Sequence, residues 1–373
     1  MLMRTAAFVL SSVALVSPAG AQTPASLAAL RFFGTGVGPP GQQDRVRIPI
    51  DDTLAGPDAS SPCDLGSSSF TIDFWIRGVL ADNASTSSGG DAEYFDFRWI
   101  EGNIVIDRDI FDGSSRDWGV SIAGGHVRFG TGRADAAPLD QEHTIEGGEN
   151  VLDGSWRHIA VVREVASGRK SVYVDGVLDY QSPPNRSRDD ISFPNDGAPG
   201  QQTPWGPFIV LAAEKHDAGA AYPSFNGFMD EVRFWSRALS AAEIARVRGY
   251  ALVAGSPLAL GLVGAYRFEE GSGTTVGDSS LAGSPPGLLI AGQPGNGEWV
   301  VRGQMPANAA PVVRCDGDAD GDLAVSFADI TSVLGNFGSS RPTTDGPGDA
   351  DADGAVNFSD ITRVLSSLGL SCP

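Results

Sequence analysis

The sequence predicts a large, mainly antiparallel β domain that is followed by a small α-helical module. Glycine (48 residues) and proline (24 residues) are frequent in the 373-residue chain, and few segments carry apolar residues at helical spacing over the length of a helix. Several segments alternate apolar and polar residues instead, which is typical of strands. Near the C-terminus an acidic sequence occurs twice, and each copy is followed by a helical apolar pattern.

Alternation and turn signals indicate the strands of the β domain. From Phe70 to Ile76 every second residue is Phe or Ile, so one face of this strand is apolar. Residues 156–163 and 171–177 are also strand-like, and Ser167-Gly168 between them predicts a hairpin turn. Residues 228–235 form another alternating segment. These patterns predict an antiparallel sheet whose two faces differ.

One helix within the β domain has clear start signals. Ser240 and Glu243 have the spacing of a capping box, in which each side chain accepts a hydrogen bond from the other residue's backbone N–H. Leu239 and Ile244 are placed to form a hydrophobic staple around that start. We predict a helix that runs to about Arg248.

The two acidic copies have the spacing of calcium-binding loops. The first spans residues 318–329, and the second begins 31 residues later and spans 349–360. Asp falls at loop positions 1, 3, 5 and 12, the spacing by which an EF-hand loop surrounds Ca²⁺ with oxygens, together with a backbone carbonyl from position 7. The predicted ligands are Asp318, Asp320, Asp322, Ala324, Ser326 and Asp329, then Asp349, Asp351, Asp353, Ala355, Asn357 and Asp360. We therefore expect two calcium ions.

Short helices follow both loops, and they argue against the alternative of a solvated, disordered acidic tail. Apolar residues recur at helical spacing in each copy: Ile330, Val333, Leu334 and Phe337, then Ile361, Val364, Leu365 and Leu368. This spacing places each set on one helix face, and two matching faces can bury each other. The prediction is a paired loop–helix module over residues 315–373.

This module resembles the dockerin family, a paired EF-hand-like fold whose repeat is written D-x-[ND]-x-D-G-x-[IV]-[ND]-x-x-D. The second loop fits every position, whereas the first has Leu323 in place of Gly and Ser326 in place of Asn or Asp. The resemblance implies calcium-dependent docking onto a cohesin-like or other surface protein, with the first calcium site as the weaker one. Phe327-Ala328 and Phe358-Ser359 stand where well-known members often have a Ser/Thr pair, so we expect a partner that differs from a standard cohesin.

Residues 1–21 predict a secretory signal peptide. Arg4 precedes a mostly apolar stretch, and Ala19-Gly20-Ala21 supplies small residues for cleavage before Gln22. The apolar stretch is too short for a transmembrane anchor. A net charge of −20 disfavours nucleic acid and anionic membranes as partners. We therefore expect a secreted, extracellular protein without a membrane span, with attachment to a cell surface as a further option.

Three cysteines are present in a chain that is expected to reach an oxidising compartment. Cys315 and Cys372 bracket the calcium module, and we predict a disulfide between them that clasps its two ends. Cys63 is then left over, so we expect a buried free thiol, and nothing near it suggests a nucleophile.

Three blocks of the β domain resemble the concanavalin A-like, laminin-G-like jelly roll. They lie at residues 154–161, 173–176 and 225–244, in the order of the family. The resemblance implies two antiparallel sheets packed face to face, a glycan or protein ligand, and a calcium ion at a sheet rim. We assign residues 22–303 to this domain, with 260–303 as its closing strands and 304–314 as a linker to the calcium module.

The sequence leaves three hypotheses for the function of the jelly roll. Trp99, Trp118 and Trp205 lie in Gly-, Pro- and polar-rich surroundings and are candidates for sugar stacking, with burial as packing residues as the alternative. No E-x-D-x-x-E run typical of retaining glycan hydrolases is present, and the four histidines show no metal-ligand spacing. We favour a non-catalytic binding protein. A polysaccharide hydrolase or lyase carrying a dockerin and a structural cell-surface protein are the alternatives.

Overall fold

The protein, described from a computed structural model, is a sandwich of two antiparallel sheets with a small helical module packed against it. The described residues are 28–34, 44–50, 61–93, 98–110, 116–132, 142–193, 206–216, 221–252, 257–291, 298–301, 314–320, 324–340, 348–351 and 355–369. The predicted signal peptide and nearly all of the predicted linker lie outside these ranges. The fold class predicted for the large domain, mainly β with two packed sheets, is confirmed.

Within the described residues the first sheet has eight strands, which are numbered here in chain order. Their spatial order is β11 (Val177–Gln181), β10 (Arg169–Val174), β9 (Asp153–Glu164), β3 (Phe70–Val79), β13 (Asn226–Trp235), β1 (Ala28–Phe33) and β18 (Glu298–Val301), with β15 (Leu262–Tyr266) also paired to β13. β1 pairs with the first half of β13 and β15 with its second half, so these two strands share one edge. The predicted hairpin is confirmed as the connection between β9 and β10.

The second sheet has nine strands in the part of the chain that the structure describes. Their spatial order is β16 (Thr275–Val276), β17 (Gly287–Ile290), β2 (Arg45–Pro49), β12 (Phe208–Leu211), β5 (Asn103–Arg108), β6 (Trp118–Ala123), β7 (His126–Gly132), β8 (Glu142–Glu146) and β4 (Gly90–Glu93). β15 and β18 lie in the first sheet and β16 and β17 in the second. The segment from 262 to 301 therefore contributes strands to both sheets of the one sandwich.

The main core lies between the sheets, and β3 shows how the sequence pattern creates it. The alternating apolar side chains of β3 all point into this core, namely Phe70, Ile72, Phe74 and Ile76. The side chains between them face a second layer: Thr71 Oγ1 donates to the carbonyl of Arg237 (2.9 Å), and Trp75 Nε1 donates to that of Arg248 (3.3 Å). Both faces of the strand are therefore buried.

Helix α1 (Ala241–Val247) forms the second layer over the first sheet. Its predicted capping box is confirmed, because Ser240 and Glu243 bond each other's backbone N–H groups. Leu239 and Ile244 are both buried in this layer beside Trp235. The helix ends at Val247 with Arg248 as its C-cap, as the sequence predicted.

The C-terminal module contains two helices, α2 (Phe327–Asn336) and α3 (Phe358–Ser367), and each follows one acidic loop. At the start of the module, β19 (Arg314–Cys315) pairs in parallel with β14 (Tyr250–Ala251). Val333 and Val364 are buried between the helices, with Ile330 and Ile361 partly buried beside them. The prediction of burial is wrong for the other four residues of the two apolar faces, whose side chains are exposed: Leu334, Phe337, Leu365 and Leu368. The reason is that the buried stripe is narrow, and the residue after Val333 already lies about 100° further round the helix.

Cys63 is a buried free thiol, in agreement with the sequence prediction. It lies against the Ser284 hydroxyl, which is 3.0 Å from Sγ. Burial raises the pKa of this thiol to about 12, so it stays protonated and unreactive at neutral pH. Cys372 lies outside the described residues, and its disulfide with Cys315 stays a prediction. Among the described helices, none has both the length and the apolar character that a membrane crossing requires.

Candidate functional site

The last Asp of each acidic loop ties the start of the loop to the start of the following helix. Asp329 Oδ1 accepts backbone N–H bonds from Ala319 (2.7 Å) and Asp320 (3.1 Å), and its Oδ2 accepts one from Ser326 (2.7 Å). Asp360 repeats the three bonds at the same distances, with Ala350, Asp351 and Asn357 as donors. The 31-residue sequence repeat is therefore also a repeat of loop geometry.

The carboxylates of each loop converge on one point. Asp318, Asp320 and Asp329 each place a ligand oxygen within 4.8 Å of the other two, and so do Asp349, Asp351 and Asp360. Carboxylates at this separation repel one another unless a cation or a proton lies between them. Converging oxygens are the donor set that Ca²⁺ prefers. Asp322 and Asp353, the predicted ligands at position 5, lie outside the described residues.

The side chains at loop position 9 start the two helices. Ser326 Oγ accepts a hydrogen bond from the backbone N–H of Ala328 (3.0 Å), and Asn357 Oδ1 accepts one from Ser359 (2.8 Å). Each is thus the N-cap of its helix. Their role as calcium ligands stays a prediction, as does that of the carbonyls of Ala324 and Ala355.

The second loop lies against the β sandwich. Arg246, in the last turn of α1, donates from Nε to the backbone carbonyl of Asp351 (2.6 Å). The Tyr250 hydroxyl donates to the carbonyl of the preceding Ala350 (3.4 Å). The module is therefore fixed to the first sheet's helical layer through the loop that matches the calcium pattern most fully.

Two of the three candidate aromatic platforms have buried side chains, which is the alternative that the sequence left open. Trp99 lies flat on the outer face of the second sheet, where Gly119 and Gly130 leave a notch for its ring. A Cβ atom on Gly130 would come within 1.8 Å of the Trp99 ring, and one on Gly119 within 2.2 Å. The ring is only 1% exposed, so it cannot stack on a sugar.

Trp118 is a core residue. Its ring packs on Phe70 with centroids 5.5 Å apart, and its Nε1 donates to the carbonyl of Leu65 (3.1 Å). The polar sequence around it suggested a surface position, but strand β6 points the side chain between the sheets. Trp205, the third candidate, lies outside the described residues.

A third group of metal-ligand side chains was missed by sequence reasoning. It consists of Asp109, Glu214 and His216, whose ligand atoms lie within 4.8 Å of one another. Asp109 follows β5, and the other two follow β12, which pairs with β5. Glu214 and His216 are two residues apart, which is the spacing of side chains on one side of an extended segment. That spacing was a weak signal, and the pairing of the two strands was needed to complete it.

Burial and neighbouring charges shift the pKa values in this group. Burial, together with the charge of Glu214, raises the pKa of Asp107, which lies beside the three. Burial lowers the pKa of His216, but its contacts with Asp109 and Glu214 outweigh that effect and raise it to about 9. Positive charge is therefore favoured at the point where the two carboxylates meet the His216 ring.

Comparison with solved structures finds similar shapes at low sequence identity. A candidate carbohydrate-binding protein from Bacteroides ovatus has a TM-score of 0.42 and 14% identity over 71% of this chain, which spans 58% of that protein. A heptameric SAP-like pentraxin from Limulus polyphemus has a TM-score of 0.34 and 14% identity, covering 60% of this chain and 83% of that one. Scores at this level assign neither a ligand nor an activity.

A third similar structure is the CBM40 of the Ruminococcus gnavus IT-sialidase, bound to α2,3-sialyllactose. Its TM-score is 0.32 and its identity 14%, covering 55% of this chain and 97% of that one. No curated protein matches the sequence of this chain.

A laminin G-like family model, described as the concanavalin A-like lectin/glucanases superfamily, matches residues 50–245. These residues include all or most of the strands from β3 to β13, and therefore the centres of both sheets. The three sequence blocks that indicated this resemblance lie within the match. Because the match covers more than half of the 373 residues, the chain belongs to the concanavalin A-like lectin/glucanases superfamily.

Proposed function

We propose that the protein is a secreted, non-catalytic binding protein with two working parts. The jelly roll recognises a carbohydrate or protein ligand, and the C-terminal module binds two calcium ions and attaches the chain to a partner. The observation that carries the proposal is the repeated convergence of three Asp carboxylates in each loop, held by the same backbone bonds.

Calcium explains why the module carries so many carboxylates around so small a core. Asp318 and Asp349, at position 1 of the loops, are both buried, and so is the final Asp of each loop. Grouped buried carboxylates are costly unless a cation compensates their charge. The apolar core of the module is limited to small side chains such as Val333 and Val364, so bound metal would supply much of its folding free energy.

The exposed apolar side chains of the module support a role in attachment. Six of them are exposed and form three pairs separated by 31 residues: Phe327 and Phe358, Leu334 and Leu365, Phe337 and Leu368. Contiguous exposed apolar side chains mark interaction surfaces, and two of these six, Phe337 and Phe358, are in contact. The dockerin resemblance of the loops points to a cohesin-like or other surface protein as the partner.

Membership of a superfamily named for lectins and glucanases supports carbohydrate as the ligand class of the jelly roll. The test is a glycan array probed with the mature protein in calcium and in EGTA. We expect binding to a defined set of glycans. A silent array together with a protein partner would favour the structural cell-surface alternative, and release of reducing sugars from the bound glycans would favour the enzyme.

A matched variant separates the two parts of the proposal. The double variant Asp329→Ala and Asp360→Ala removes the final carboxylate of both loops and leaves the sandwich unchanged. It should keep glycan binding by the jelly roll and lose both calcium ions in a calorimetric titration. A calcium stoichiometry that is unchanged in this variant would contradict the assignment of the loops.

A further inference from the structure

The group formed by Asp109, Glu214 and His216 lies in the jelly roll, away from the two calcium-type loops, and has a different chemistry. His216 Nδ1 is 3.0 Å from Asp109 Oδ2 and 3.3 Å from Glu214 Oε1. The side chains of His216 and Glu214 are 2% and 0% exposed. A ring nitrogen and carboxylate oxygens from two segments therefore meet at one buried point.

The backbone around this point is held by carboxylates. Asp107 accepts a hydrogen bond from the backbone N–H of Asp109 (2.7 Å) and, on its other oxygen, one from that of Lys215 (2.7 Å). Glu214 Oε2 accepts one from the N–H of His216 (2.7 Å), which leaves Oε1 turned towards the ring. Asp107 thus ties the end of β5 to the segment after β12 and sets the three ligand atoms face to face.

The distances between the three ligand atoms also fit a small bound cation. Metal–ligand bonds of about 2.0–2.1 Å in a tetrahedral site place the ligand atoms roughly 3.3 Å apart. A protonated ring nitrogen can direct its one N–H at one acceptor, whereas two carboxylates approach His216 Nδ1 here. One positive charge is already nearby, because the Lys215 ammonium donates to the carbonyl of Asp109 (2.6 Å) and interacts with the charges of Asp107 and Asp109.

From this arrangement we propose that Asp109, Glu214 and His216 bind one divalent transition cation, with zinc as the preferred ion. A nitrogen ligand disfavours calcium, which takes oxygen ligands, and a mixed set of imidazole and carboxylates suits zinc. The ion joins the segment after β12 to the end of β5 on the second sheet. Asp107 is a positioning residue, because it holds the backbone of both ligand segments without facing the ion. This site is independent of the proposed glycan and calcium binding.

The test is a zinc titration of the full-length protein, stripped of metal and then saturated with calcium so that the oxygen-only loops are occupied. We expect one tightly bound zinc ion per chain and a higher melting temperature of the sandwich. His216→Ala should weaken zinc binding by about 100-fold or more, since loss of an outer-shell partner alone costs 10- to 100-fold. His126→Ala, which removes a histidine outside the group, is the matched control and should bind zinc as the wild type does.

A second measurement keeps the proposal falsifiable if His216→Ala does not fold. X-ray absorption at the zinc edge of the wild type should show one imidazole ligand. Absence of tight zinc binding, absence of the imidazole signal, or undiminished binding by folded His216→Ala would each overturn the proposal. None of these readouts uses a glycan or counts calcium. Failure of the zinc proposal is therefore distinguishable from failure of the proposed binding function.

Discussion

The loop at residues 318–329 and the loop at residues 349–360 hold their final Asp in the same way, through three backbone bonds of equal lengths. Their surroundings differ. The second loop rests on the sandwich, and its Asp351 is buried where the equivalent Asp320 is exposed. Burial, together with the charge of Asp351, raises the pKa of Asp360. Equal spacing in the sequence thus gives equal loop geometry, whereas packing makes the two sites unequal.

This difference suggests which site binds calcium more tightly. The sequence predicted a weaker first site because Leu323 and Ser326 depart from the dockerin pattern. The structure adds an independent reason, since Arg246 and Tyr250 already hold the backbone of the second loop. A loop that is held before the ion arrives loses less conformational entropy on binding. We therefore expect the second site to fill first.

Removal of calcium should produce the largest effect and should separate the module from the sandwich. If calcium binds as proposed, each occupied site should stabilise the module by about 2.7 kcal/mol when free calcium is 100 times its dissociation constant. In calorimetry of the full chain, EGTA should lower the melting transition of the module and leave that of the sandwich nearly unchanged. If EGTA leaves the melting transition of the module unchanged, the proposal that the two loops bind calcium is contradicted.

Substitution of the final Asp in each loop should show whether the loops are independent. Asp360→Ala and Asp329→Ala should each reduce the stoichiometry from two calcium ions to one. Each also leaves backbone N–H groups without an acceptor, at about 1–3 kcal/mol for a buried group, and the cost should be larger at Asp360 because its loop is docked. Thermal unfolding and calorimetric titration measure both effects, with Ser366→Ala, a change at an exposed position of α3, as the control. Equal losses of stability in the two variants would show that docking of the second loop does not increase the contribution of Asp360.

Arg246→Gln tests the docking contact itself. Loss of a hydrogen bond from a charged donor costs about 1.5 kcal/mol or more when the acceptor is buried, and the calcium affinity of the second loop should fall by about 10-fold. The first site should not change. Arg188→Gln, an exposed Arg in the sandwich away from the module, is the control. An equal loss at both sites would indicate that Arg246 acts on the module as a whole.

The smallest predicted effect is the change in stability when the first residue of α2 or of α3 is substituted. Phe358 packs edge-on against Phe337 with ring centroids 5.1 Å apart, a contact worth about 0.5–1.5 kcal/mol. Phe358→Ser should therefore lower the stability of the module by about that amount. Phe327→Ser alters a side chain that is 73% exposed and should change stability by less than about 0.5 kcal/mol. Denaturant unfolding of both variants in calcium measures the difference.

Features that depend on residues near one another in the chain were predictable. The hairpin at Ser167-Gly168, the capping box at Ser240 and the helices after the two loops were all read from local spacing and are present. The burial of Trp99 was not predictable, because it depends on two glycines from strands that come later in the chain. The group around His216 was missed for the same reason, since Asp109 lies more than 100 residues earlier.

The sequence by itself determined the β class of the large domain, the superfamily resemblance and the positions of the paired Asp loops. The β class and the loop positions follow from alternation, turn residues and fixed offsets, which act through neighbouring backbone geometry, and the resemblance rests on three sequence blocks at residues 154–161, 173–176 and 225–244. Only the tertiary structure decided which apolar residues are exposed on α2 and α3, that the second loop docks on α1, and that Asp109, Glu214 and His216 meet. Those outcomes depend on strand pairing and on contacts between distant segments, which local spacing does not specify.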